Sequence, residues 1–245
     1  MKQWKYCLLC LLALTARWAM ASDSTTQQAG QQVFLAERLV KAYALQRLNV
    51  TASRPAEQLR TSSEQFARNL QTLQQQAPTA AIREQYQLLA QLWTDYKPQL
   101  NAQADVRKLA ALNEEWIYVA QQANQLWEKW DVSQGRKAER QLQQQISIQS
   151  QRLAKLYALQ QLGANQPFVA SDLVTAHRLV TANLRQLRQQ SAQQPDRLSR
   201  IQLAETQWAF FEQALERAMK QGSSPELWRD VATTSERIVE VMDSL

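Results

Sequence analysis

Apolar residues recur at intervals of three and four along most of the chain. Phe66, Leu70 and Leu73 show the spacing, and Leu109, Leu112, Trp116, Val119 and Ala123 repeat it further on. Such spacing lays an apolar stripe along one side of an α-helix. No stretch sustains the apolar–polar alternation of a half-buried strand, so none is expected. Proline and glycine punctuate the pattern. Pro55, Pro78, Pro167, Pro195 and Pro225 each precede a periodic run, and Gly163 and Gly222 each follow one. Proline at a first helical position loses no hydrogen bond, and glycine past a helix end closes the last turn. The pattern predicts an all-α fold of eight helices, at about 27–50, 54–76, 79–97, 103–131, 136–163, 167–191, 195–221 and 225–244. Pro98 should end or kink the third.

The chain also repeats itself. "AERLVKAYALQRLN" (Ala36 to Asn49) returns 114 positions later as "SQRLAKLYALQQLG" (Ser150 to Gly163). Arg38, Leu39, Lys41 and Tyr43 align with Arg152, Leu153, Lys155 and Tyr157. Trp93 falls near the same offset as Trp208, and Trp116-x-x-Val119-Ala120 matches Trp228-x-x-Val231-Ala232. Three anchors in one order argue for duplication, with small loop-length changes between helices. Each copy holds four helices with short connections, which favour antiparallel neighbours. The expected architecture is two tandem antiparallel four-helix bundles, 22–132 and 133–245, joined near Val132 to Lys137.

The first twenty-one residues change the picture of location. Lys2 and Lys5, the apolar run Cys7 to Leu14 and the small residues Ala19 and Ala21 form the three parts of a secretory signal. Cleavage is expected near Ala21, which implies export to the periplasm. Both cysteines lie within that segment, so the mature chain has no disulfide and no thiolate metal site. Lys2, Lys5 and Arg17 leave with it, and the formal charge falls from +6 to +3. A balance this mild, with basic and acidic residues interleaved, argues against a nucleic-acid partner. Gln makes up about one residue in six. Threaded by a regular apolar stripe, it reads as solvated helix surface rather than disorder.

The repeated segment carries the candidate chemistry. On a helical wheel Arg152, Lys155, Leu159 and Leu162 share one side, and Ile146, Leu153 and Tyr157 another. Arg38, Lys41, Leu45 and Leu48 repeat the first group. Two apolar surfaces exceed what a simple surface helix needs. One should face its own bundle, the other a second bundle, a second subunit or a partner. The plain reading of the bases is solvation, with their stems lying along apolar surface. The functional reading is a small-anion or carboxylate site, because guanidinium binds planar oxyanions through paired hydrogen bonds. The paired Trp residues are read as bundle core rather than a ligand cage.

"AGQQVFLAERLVKAY" (Ala29 to Tyr43) and "SQRLAKLY" (Ser150 to Tyr157) resemble the opening helix of a bacterial sensor domain. That domain stands at the N-terminus of type IV pilus methyl-accepting chemotaxis transducers (PilJ-like) and nitrate/nitrite sensor kinases (NarX-like). Its helix reads A-G-x-x-R-M-x-S-x-R-x-x-K. The resemblance covers essentially the whole mature chain as two copies and implies a sensor-like function. It also implies a ligand-binding role for Ser150 and Gln151 beside Arg38, Lys41, Arg152 and Lys155. In the nitrate sensors the Arg of R-M reaches nitrate at a dimer interface. The matching positions are Val33 and Ser147, which lack that charge.

Enzymatic readings find no support. His177 is the single histidine, Glu114 and Glu115 point apart on a helix, and phosphate-binding glycine loops are absent. The sequence therefore implies a non-enzymatic protein without metal or cofactor. It binds a small anion or a membrane-bound sensor or envelope protein, to which any signal passes. The competing class is a periplasmic scaffold with no small ligand.

Overall fold

Proline and side-chain caps start most of the helices. A computed structural model describes residues 3–100, 104–135, 141–165, 167–222 and 224–245, with side chains from Thr25 onward. The chain forms α1 (Gln3–Arg47), α2 (Pro55–Gln76), α3 (Ala80–Tyr96), α4 (Val106–Ser133), α5 (Gln141–Gln161), α6 (Pro167–Gln190), α7 (Pro195–Gln221) and α8 (Pro225–Asp243). Proline opens α2, α6, α7 and α8. Thr79 caps α3 by accepting from the Ile82 amide at 3.2 Å, and Asp105 caps α4 through the Arg107 amide at 2.8 Å. Those caps place the starts one to three residues later than the periodicity predicts. Pro98 acts as expected: α3 stops at Tyr96, and Lys97–Gln99 form a single 3-10 turn. Gly163 closes the α5 end at φ +94°, a conformation open to glycine.

Two boundaries differ from the sequence reading. The helix expected from residue 27 is continuous with a backbone helix beginning at Gln3. The expected cleavage near Ala21 falls where side chains are outside the described residues. At the junction, α4 ends at Ser133 and Gly135 takes φ +73°. Residues 136–140, which include Lys137 of the expected joint, lie outside the described residues. The helices on either side run in opposite directions, so they are not one rod.

α1 and α5 are the centre of this all-helical bundle. α1 packs on α2, α4 and α5, while α5 packs on α1, α6 and α8. α3 contacts α2 and α4, and α7 contacts α6 and α8. The two central helices run parallel. Gln144 Nε2 donates to the Gln27 carbonyl at 3.1 Å near one end, and Arg152 meets Glu37 at 2.8 Å two turns on. Both contacts hold nearly the spacing of the sequence repeat. α4 runs opposite to α1: Thr26 hydrogen-bonds Asp131, and Arg47 reaches the Ala104 carbonyl at 3.4 Å. Neighbours on several sides explain why these two helices are buried over most of their surface, polar positions such as Gln32, Lys41, Gln151 and Lys155 included.

The four tryptophans that pair across the repeat are core. Trp116 and Trp228 are fully buried, and Trp93 and Trp208 nearly so. Phe66, Trp93 and Tyr96 surround Trp116, with ring centroids 4.7 to 5.2 Å away. Such contacts add to the large area these rings remove from water. Most of the buried apolar residues, drawn from every helix, form one continuous cluster. Among the described residues no helix is long and apolar enough to cross a membrane.

Replacing Trp116 with alanine should lower the unfolding free energy by about 3–5 kcal/mol. Phe210, 49% exposed on α7, should cost about 0.5 kcal/mol or less in the same substitution. Urea unfolding of the two variants measures the contrast.

Candidate functional site: a charged seam between the central helices

The repeated Arg-x-x-Lys puts two cations one turn apart on the same side of each central helix. In α5 that side meets α1 and α4. Lys155 is fully buried, with Nζ 2.6 Å from Asn113 Oδ1 and 3.1 Å from Glu114 Oε1. It also lies 2.8 Å from Glu37 Oε2, an ion pair poorly aligned for hydrogen bonding. Arg152 donates through Nη1 to Glu37 Oε1 at 2.8 Å and through Nη2 to Glu114 Oε2 at 2.7 Å. Nη2 also meets Asp172 of α6. Three carboxylates from three helices thus surround two cations.

In α1 the equivalent side meets α8. Lys41, also fully buried, pairs with Glu236 and donates to Ser235 Oγ at 3.3 Å. Arg38 pairs with the same Glu236 carboxylate. Here one acid serves two bases. Gln151 completes the seam by donating to the Ser235 carbonyl at 3.2 Å. Ser150, fully buried, donates back along its own helix to the Ser147 carbonyl at 2.9 Å.

All six residues singled out by the sequence therefore lie on one seam. The solvated reading of the lysines is overturned, because both ammonium groups are removed from water and held by acids on other helices. The four acids are what sequence reasoning missed. Glu37 sits beside Arg38 but reaches across to α5. Glu114 and Glu115 do point apart: Glu115 is exposed while Glu114 enters the seam. The available signal was the repeated lysine within a helix apolar on both sides, since a buried ammonium requires a buried acid nearby.

Burial sets the electrostatics and the acids answer it. At Glu236, burial pushes the carboxyl pKa up, but Lys41 and Arg38 outweigh it and hold it below the usual 4.5. Glu114 is lowered by the same balance, with Lys155 and Arg152 overcoming burial. Arg152 is raised, because Glu37 and Glu114 overcome its burial. Lys41 goes the other way. Burial pulls it below 10.5, and the carboxylate it shares with Arg38 only partly restores it.

A cleft of about 340 Å³ is lined by Arg152, Glu114 and Asp172 of the seam, and two smaller ones flank residues 27–34 of α1 and 143–148 of α5. One, about 110 Å³, lies between α1, α5 and α8 and includes Gln31, Phe34 and Ser147. The other, about 240 Å³, lies between α1, α5 and α4 and includes Gln145, Ile148 and Val33. Those three pairs of positions are related by the 114-residue repeat, with the two helices exchanging roles. Val33 and Ser147 each line one cleft, and among the described residues no Lys or Arg lines either. His177 is half exposed, pairs with Glu212 and packs against Trp208. No family model, curated protein or solved structure matches the chain.

Removing the acid while leaving the cations breaks a buried pair, which costs about 3–5 kcal/mol. Glu236→Ala should show that loss near neutral pH in urea unfolding. Replacing both partners, Lys41→Met with Glu236→Leu, should cost less than the single change. Because its folded pKa is depressed, the stability from Glu236 is present above about pH 4.5 and disappears as pH falls through the lower folded value. The wild type should lose more stability than Glu236→Ala between about pH 6 and pH 3.

Proposed function

We propose that the chain is an exported, non-enzymatic, sensor-like binding protein of two fused PilJ/NarX-like bundles. α1–α4 make the first and α5–α8 the second, facing each other through α1 and α5 as subunits of a dimer would. The observation that carries this reading is the parallel, in-register packing of the two repeated helices along a shared charged seam. The flanking clefts support it further, since they use equivalent positions of both copies. A membrane-bound sensor or envelope protein would receive the signal.

The pairing at the seam changes what Arg38, Lys41, Arg152 and Lys155 are for. Carboxylates occupy the positions a bound anion would take. We therefore assign the four bases to joining the two halves and not to capturing nitrate or a carboxylate. A scaffold without any small ligand is the second reading. Leu203 and Phe210, exposed two turns apart on the same side of α7, favour it as apolar surface available to a partner.

A thermal-shift series with nitrate, nitrite and acetate at matched ionic strength tests the assignment. Arg38→Ala and Arg152→Ala should melt lower than wild type in every salt, and no anion should stabilise the wild type specifically. Saturable nitrate stabilisation that disappears in either variant would return the bases to a ligand site.

A further inference from the structure

The cleft between α1, α4 and α5 has a chemistry of its own. Val33 and Ile148 supply apolar surface, and the remaining lining is amide and carboxylate: Gln121, Asn124, Gln145 and Glu128, with Gln125 at the side. Asn124 is only 5% exposed. Its Nδ2 donates to Glu128 Oε1 at 2.9 Å, and because a carboxylate only accepts, that bond fixes the amide orientation. The Asn124 carbonyl oxygen is then left buried without a partner. A buried acceptor in that state lacks a hydrogen bond it would make in water, which is costly unless a donor arrives.

Glu128 adds charge to the same place. It forms no ion pair among the described residues, unlike every carboxylate of the seam. Burial raises its pKa, against the hydrogen bonds from Asn124 and Gln141. The cleft is thus bordered by the buried Asn124 amide, whose carbonyl has no partner among the described residues, by a carboxylate without an ion pair among them, and by the edges of Val33 and Ile148. What satisfies the carbonyl and the carboxylate is a cation with several N–H donors and a short hydrocarbon part.

We propose that the cleft between α1, α4 and α5 binds a small primary alkylammonium compound, with its ammonium on Glu128 and Asn124 Oδ1 and its carbons on Val33 and Ile148. The ammonium group donates to both oxygens at once. At about 240 Å³ the cleft suits a molecule of a few carbon atoms. This names the ligand class of the sensor-like protein proposed above and rests on that reading for its purpose. The site itself stands on the cleft's own residues.

Calorimetric titration of the full chain with ethylammonium and with putrescine tests it, with acetate and nitrate as controls. Expected is saturable binding of at least one amine, weakened about tenfold or more in Glu128→Gln. That variant keeps the side chain's shape and removes only its charge, so its melting temperature without ligand should match or exceed wild type. Asn124→Leu should weaken the amine as well, with circular dichroism confirming the helix content. No saturable binding of either amine overturns the proposal, as does binding unchanged in Glu128→Gln. If the amines fail while another solute binds saturably, the ligand class falls and the sensor reading stands. If nothing binds, both fall.

Discussion

Two buried lysines govern the arrangement of this protein. An ammonium group taken out of water is tolerated only where acids on neighbouring elements replace the lost hydration. Lys41 and Lys155 are each fully buried, and each draws its acid from a helix of the other half: Glu236 on α8 for Lys41, Glu37 and Glu114 on α1 and α4 for Lys155. Hydrophobic packing alone would let α1 slide along α5 with small penalties. The ion pairs make one register far better than its neighbours, because a shift of a turn would leave a charge buried without its partner.

That register explains the composition of the central helices. A helix with one exposed side needs one apolar stripe, but α1 and α5 each pack on three or more others. They are accordingly buried over most of their surface, with polar and charged side chains placed where the two central helices and α8 and α4 meet. The aromatic cluster around Trp116, between α2, α3 and α4, adjoins the seam through Tyr96, whose buried hydroxyl lies beside Glu37 and Glu114. Charge sets alignment and apolar area supplies cohesion, side by side in the same molecule.

Much of the helical layout was legible because its signals are local. Pro55, Pro167, Pro195 and Pro225 mark helix starts, and Gly163 marks an end, through conformational limits that hold whatever the rest of the chain does. The basic members of the site were legible too, because they repeat. Their acids were not. The spacing that aligns Trp116 with Trp228 would pair Asn124 with Glu236, whereas the acid facing Arg152 and Lys155 is Glu114. Side-chain partners drawn from three different helices depend on how those helices are rotated and shifted, and single-helix periodicity carries no information about that. The unpartnered Asn124 carbonyl was hidden for the same reason.

The position 114 residues beyond Glu37 is Gln151, and that one difference between the copies has a wider meaning. Identical subunits must present identical surfaces to each other, so a residue on one side of a two-fold interface also appears on the other. A single chain is released from that requirement. Here the first half offers Glu37 to the cations of the second, while Gln151 reaches Ser235 without a charge. On the proposed two-bundle reading, two second halves brought together would still offer Glu236 to Lys155, which stands where Lys41 does, but neither would supply a counterpart of Glu37. The carboxylate that reaches both cations of α5 from the facing helix is thus available only from the first segment of this chain.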